Sequence, residues 1–403
     1  MSRRPIPVPV LPVGAGAMQA DAQASARESA VQGARLHELD AMRSVLMLLG
    51  VVLHASNPYG LEGRWLVADP GRSATLEALS DAIHLFRMPA FFLVAGYFSM
   101  LLLGRQATGS FLRERMRRLL LPTLAVLLSL NLVQVWMLAP PAPAGGFVQG
   151  ALLPALLRGD WLGHLWFLVD LALYCLVLAA LRPWVATPIR GRGLAWLARP
   201  QALALAIGTA ALVPLATMAA AHALPILARE LGGLVNPEEL LDHAPFFAMG
   251  ILLQRDPALL RRFTMPGAGT WWCGGIAWGL VLALPTPAGP AATAVAVVAH
   301  ALLAWCAVRL LFAGFTRWAG GPSRTFGYLS DASYSIYLFH HVWVVVVAGM
   351  LLPAPWPPLG KFTVVLVAAS VLSLAMHHVL VRPHPRMRWL FNGRALPRGW
   401  PSR

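Results

Sequence analysis

Apolar residues along this chain come in runs of about 20, the length a helix needs to cross a hydrocarbon core of roughly 30 Å. A sliding window of about 19 residues predicts ten such helices, at 39–57, 79–104, 117–138, 164–184, 200–224, 241–255, 267–284, 290–315, 328–351 and 361–381. The sixth is the weakest, because it is short and opens with Asp242 and His243. The fold class that follows is all-α: a polytopic integral membrane protein of about ten transmembrane helices. Proline-rich stretches at 139–143 and 353–358 read as short outer turns. Before residue 36 the pattern changes. Arg3 and Arg4 are followed by prolines at 5, 7, 9 and 12, which break the helix that a signal peptide's apolar region must form. The predicted organisation is a disordered cytoplasmic arm at 1–35, one membrane domain at 36–385 and a basic cytoplasmic tail at 386–403. No solenoid period and no inverted repeat of broken helices is visible.

Composition supports the periodicity. Of 403 residues, 58% are hydrophobic and 12% charged, against roughly 25% charged in a soluble domain, which excludes a soluble globular enzyme. The formal charge of +15 would suggest nucleic-acid binding in a soluble chain. Here the arginines sit in short loops between apolar runs and form no basic stripe with stacking aromatics, so no nucleic-acid partner is expected. With the N-terminus inside, the inner segments carry 25 of the 32 Lys and Arg, and the outer loops only Arg64, Arg72, Arg158, Arg229 and Lys361. That asymmetry predicts cytoplasmic termini. Cys175, Cys273 and Cys306 lie apart inside apolar runs, with neither a disulfide framework nor metal-ligand spacing. Phosphate loops, a GxSxG elbow and zincin spacing are absent, so ATP-driven transport and serine hydrolysis lose support.

An ionisable side chain in hydrocarbon costs about 2.5–3.5 kcal/mol on insertion scales, so each is a functional candidate or a structural pair. The first helix holds Asp40, Arg43 and His54. Asp40 and Arg43 share a face at three-residue spacing. His54 follows Arg43 by eleven residues, about three turns, and so returns to that face about 16 Å further across the membrane. Taken singly, Arg43 could snorkel to headgroups and His54 could simply bond a neighbouring helix. The second helix changes this picture, because Asp81, His84 and Arg87 recur at three-residue spacing near the depth of His54, and two facing polar stripes imply a lined cavity. Asp81 and His84 are the candidates for orienting His54. Arg113, Arg115, Arg117 and Arg118 crowd the inner loop before the third helix, either as a membrane anchor or as a phosphate clamp, since guanidinium forks bind phosphate oxygens bidentately. The ninth helix carries Asp331, Tyr334, Tyr337, His340 and His341, the last two serving either as packed core histidines or as site residues. His300, His377 and His378 read as structural.

These residues resemble the integral-membrane acyltransferase-3 family. The match is strongest in LDAMRSVLMLLGVVLHA at 39–55, which has the family's first-helix pattern of LDALRG leading to His. FRMPAFFLVAGYF (86–98), HLWFLVDLALYCL (164–176), HAPFFAMGILL (243–253) and SYSIYLFHH (333–341) look like its later segments. The wording of HLFRMPAFFLVAGYF is nearest to the family's glucan-biosynthesis branch. The resemblance implies ten core spans in a bacterial inner membrane. It makes His54 the catalytic residue, Arg43 required with Asp40 beside it, and Arg115 with Arg118 the family's cytoplasmic RxxR motif. It further implies an O-acyltransferase that moves a succinyl or acetyl group from cytoplasmic acyl-CoA to a sugar hydroxyl of a periplasmic or envelope glycan. In that scheme Arg113, Arg115, Arg117 and Arg118 hold CoA phosphates, while Asp81, His84, Arg87, Tyr337, His340 and His341 line the substrate site. No metal and no permanently bound cofactor is expected; the partners are acyl-CoA, the glycan and the bilayer. The rival readings are a transporter or flippase using the same cavity without covalent chemistry, and a scaffold whose polar pairs only fix helix packing.

Overall fold

In a computed structural model, residues 37–63, 65–141, 145–158, 161–185, 196–229, 231–284 and 289–396 are described. The arm at 1–35 lies outside them. Every predicted apolar run is helical: α1 (His37–Tyr59), α2 (Ala74–Arg105), α3 (Thr108–Leu138), α5 (Gly163–Ala180), α6 (Pro200–Ala223), α7 (Pro237–Arg255), α9 (Ala268–Ala283), α10 (Pro290–Trp318), α11 (Arg324–Leu351) and α12 (Pro358–Val381). Eight of the ten are long and apolar enough to cross a membrane. The exceptions are α7, whose first turns are acidic, and α9, which has 16 residues. Three short helices were not apparent in the hydrophobic pattern: α4 (Val148–Leu157), α8 (Pro257–Thr264) and α13 (Pro385–Asn392). No strand occurs among the described residues, only an isolated bridge between Leu231 and Val235.

Local chemistry sets the helix starts. Proline occupies the first turn of α6, α7, α8, α10, α12 and α13, where its missing N–H is not needed. Asn236 and Asp256 cap α7 and α8 by accepting from the backbone N–H groups two and three residues on. One boundary differs from expectation. The arginine-rich stretch at 111–122 is not a loop but the first turns of α3, which begins at Thr108. Leu, Arg, Met and Glu are good helix formers, and long arginine side chains keep their charge in polar surroundings while their stems pack on apolar surface.

Close backbone approach builds the bundle. A Cβ on Gly96 of α2 would collide with the Phe247 carbonyl of α7, and one on Gly250 of α7 with the Leu93 carbonyl of α2. Small residues at such crossings give membrane helices their packing energy. Helices α11 and α12, α9 and α10, and α3 and α5 form further pairs, while α13 folds back onto α3. The described part of the basic C-terminal stretch is thus docked on the bundle. There Gly393, at φ 58°, ends α13 and offers its carbonyl to Arg117 Nε at 2.9 Å.

Candidate active site

Helices α1, α2, α3, α5 and α11 enclose the polar interior, and each contributes at two levels. At one level four imidazoles meet. His54 of α1 lies 5.0 Å from His341, 5.3 Å from His340 and 6.2 Å from His164, centroid to centroid. His164 and His341 stack at 4.5 Å. Gly163, at φ 52°, turns the chain into α5 and so brings His164 to this level. Hydrogen bonds hold two of the four rings, and a third bond holds the backbone that carries His164. Tyr337 donates its hydroxyl to the His164 carbonyl at 2.5 Å, His340 Nδ1 donates to the Tyr337 carbonyl at 2.5 Å, and His341 Nδ1 donates to the Gln134 amide oxygen at 2.8 Å. Gln134 reaches that point because α3 relaxes into a π-helical segment at Leu127–Asn131, and Asn131 there donates to the Trp161 and Leu162 carbonyls. His54 and His164 share the opposite condition: both ring nitrogens of each are buried, with no hydrogen-bond partner among the described residues. Buried polar atoms are normally satisfied, so two orphaned imidazoles at one level make it a candidate site rather than ordinary packing. Among the described residues no three His, Cys, Asp or Glu side chains converge as metal ligands.

The second level is a cavity of about 180 Å³ at the opposite end of the same five helices. Arg43, Arg115, Arg118 and Arg394 line it, with Ser330, Asp331, Tyr334 and Asn392. Arg43 is held by Asp40 at 3.2 Å and Ser330 at 3.1 Å and lies 5.6 Å over the Phe98 ring. Arg118 pairs with Glu114 at 2.8 Å, and Arg394 with Asp331. Arg115 is the uncompensated member: its Nε and one terminal nitrogen are buried without a partner among the described residues. Guanidinium forks have the geometry to take phosphate oxygens bidentately, and of the four here only Arg115 has no carboxylate paired with it among the described residues.

One stripe of α1 joins the levels. Arg43 and Met47 line the cavity, Gly50 sits one turn further, and His54 follows. Gly50 leaves the room that the Arg87 guanidinium occupies; an added Cβ would stand 2.7 Å from it and 3.1 Å from the Tyr337 ring. Arg87 is buried, with one unpartnered nitrogen and no carboxylate partner among the described residues. From the other end the imidazoles are covered by Trp65 of the α1–α2 loop, 5.6 Å from His341. That loop is fastened by the Asp69–Lys361 pair at 2.6 Å.

The predicted residues therefore divide. His54, Arg87, Tyr337, His340 and His341 come together; Arg43, Arg115 and Arg118 come together at the cavity, with Asp40 holding Arg43 from outside. Arg113 is exposed, and Arg117 is engaged with Gly393. Asp81 and His84 occupy an exposed face of α2 and make no ring or hydrogen-bond contact with His54. Sequence reasoning missed His164, Gln134, Asn131 and the tail residues Asn392 and Arg394. His164 had a signal, an imidazole opening the fourth apolar run at the depth of His54. The two amides had none in a search confined to ionisable groups.

Comparison with known proteins gives one consistent relationship. The acyltransferase-3 family model, described as an acyltransferase domain, matches residues 36–378. The chain is 27% identical over 391 residues to glucans biosynthesis protein C of Salmonella schwarzengrund, covering 91% of this chain and 97% of that one. It is 28% identical over 386 residues to the protein of the same name from Salmonella paratyphi B, with the same coverage. No solved structure matches.

Proposed function

Because the chain belongs to the acyltransferase-3 family of membrane acyltransferases, we propose that it carries an acyl group, succinyl or acetyl, from cytoplasmic acyl-CoA to a sugar hydroxyl of a periplasmic or envelope glycan. The relatives named for glucan biosynthesis favour a periplasmic glucan as acceptor. In this reading the protein sits in a bacterial inner membrane with both termini in the cytoplasm. Acyl-CoA is a substrate, and no resident cofactor is needed. Arg115, Arg118 and Arg43 receive the CoA phosphates at the inner cavity, and the pantetheine arm follows the α1 stripe past Gly50. His54 takes the proton of the attacking hydroxyl. The hydroxyl oxygen then bonds to the thioester carbon, the C–S bond breaks, and the thiolate leaves with the proton that His54 returns. Arg87, buried and without a counter-ion beside that path, is suited to the negative charge that develops on the carbonyl oxygen.

The observation that carries the reading is the continuity of the stripe. A phosphate-sized cationic cavity at one level and an unpartnered buried imidazole at the other belong to one helix face, Arg43–Met47–Gly50–His54. The test is purified protein in lipid, supplied with acyl-CoA and a glucan, with free thiol and acylated sugar both measured. Release of thiol in step with an added acyl mass on the glucan, lost in His54→Ala, supports the assignment. Movement of glucan across the vesicle without thiol release would make the protein a flippase.

A further inference from the structure

Away from this site, a second set of cavities runs along the outside of the bundle, in the seam between α6, α9 and α10. One, of about 410 Å³, opens at the end of the bundle that carries Arg115; Arg262, Arg309, Gln201 and Thr270 line its mouth, and Leu203, Leu302 and Trp305 its depth. The other, of about 660 Å³, is lined by apolar and small residues alone, from Leu302 and Cys273 to Leu280 and Val295. The two share Cys273 and Leu302, so they form one groove. From Arg309 back to Val295 is fourteen residues of α10, about 21 Å of axial rise, more than one leaflet's half of a hydrocarbon core of roughly 30 Å.

The groove is rigid where it is deep. Trp305 is fully buried and stacks on Phe246 at 4.0 Å. Arg309 is spent on structure, donating to Thr270 Oγ1 at 2.8 Å and to the Arg262 and Phe263 carbonyls, and so clamps α8 against α10. Its charge remains at the mouth. Arg262 beside it donates its guanidinium to no group among the described residues, and no acidic residue lines the cavity. Trp271 and Trp272 stand exposed next to the mouth, as interfacial tryptophans do at headgroup depth.

We propose that this seam binds one anionic glycerophospholipid, its phosphodiester on Arg262 and one acyl chain in the α6–α9–α10 groove. The cationic mouth selects the headgroup charge, and a zwitterionic lipid finds no carboxylate there for its cation. A second copy of the chain is a poorer occupant, since two-fold pairing through this face sets guanidinium against guanidinium. The test is native mass spectrometry of the delipidated full-length protein, titrated with phosphatidylglycerol, phosphatidylcholine and the deacylated glycerophosphoglycerol. One phosphatidylglycerol should bind saturably per chain. Phosphatidylcholine should bind at least about tenfold more weakly, as should phosphatidylglycerol to Arg262→Gln, which loses a charge-assisted bond. The deacylated compound should not bind. Leu302→Trp, which fills the groove, should also lose the lipid; should that variant fail to fold, Arg262→Gln at the surface decides alone. Equal binding of the two lipids, unchanged binding by Arg262→Gln, or a delipidated dimer that protects this face would overturn the proposal.

Discussion

At the scale of single residues, the site is defined by what its polar atoms lack. The rings of His340 and His341 each have a fixed partner, whereas the ring nitrogens of His54 and His164 have none, and of these two only His54 lies on the α1 stripe that begins at Arg43. His54→Gln keeps a hydrogen-bonding side chain of similar reach but cannot take up a proton. Its acyl transfer should therefore fall to background while acyl-CoA binding stays near that of the parent, as read by turnover and calorimetry on the same preparation. The arginine cavity makes a different prediction. Arg115 has unpartnered buried nitrogens, and lysine preserves the charge but not the planar fork. Arg115→Lys should weaken acyl-CoA binding by roughly tenfold to a hundredfold, the value of one lost charge-assisted hydrogen bond, without changing acceptor affinity. Binding like that of the parent protein would leave the cavity without its proposed ligand. Much of this was legible in the sequence, because an ionisable group in an apolar run is conspicuous. Gln134 and Asn131 were not, being uncharged amides whose role depends on the π-helical register of α3. Asp81 and His84 misled because three-residue spacing places them near Arg87 along the helix but not on its inward side.

At the scale of elements, ten hydrophobic runs became ten helices because run length alone decides membrane helicity when backbone groups have no water to bond. Pairing was less legible, since it depends on glycines that look unremarkable in sequence. Gly250→Leu should force α7 from α2, given that even a Cβ there meets the Leu93 carbonyl. Overpacking of this kind costs about 1–3 kcal/mol or more, and it should appear as a lower midpoint in a detergent unfolding series. The docking of α13 was also hidden, because its eight residues, two arginines and two aromatics among them, read as a tail until Gly393 is seen turning against α3. Gly393→Val places a branched side chain at φ 58° and against the Arg118 backbone. It should release α13 and open the cavity that Asn392 and Arg394 help line, seen as faster proteolysis of the C-terminus and weaker acyl-CoA binding together. The Asp69–Lys361 pair, almost wholly buried at 2.6 Å, fastens the loop carrying Trp65 over the imidazoles. Lys361→Met leaves Asp69 charged and unpaired, which costs about 3–5 kcal/mol in a buried pair. Thermal unfolding should show that loss, and Asp69→Asn combined with it should recover part of it.

At the scale of the whole molecule, the two levels of the site imply a direction. In the proposed reaction acyl-CoA comes from the cytoplasm, so the arginine cavity is expected to open there and the imidazoles to lie toward the far face, where the proposed glycan would reach them past the Trp65 loop. The basic residues make the same demand independently: 25 of 32 fall on the side of the termini, and cytoplasmic loops are the ones enriched in Lys and Arg. Both arguments predict the orientation of positions far from either site. Ser110, exposed at the start of α3, should be cytoplasmic, and Leu61, exposed in the α1–α2 loop, should face the periplasm. In a background with Cys175, Cys273 and Cys306 replaced by alanine, Leu61→Cys should react with a membrane-impermeant maleimide in cells whose outer membrane alone has been permeabilised. Ser110→Cys should react only after the inner membrane is opened. The reverse pattern would place the arginine cavity where no acyl-CoA exists, and the acyl-transfer reading would fall with the topology.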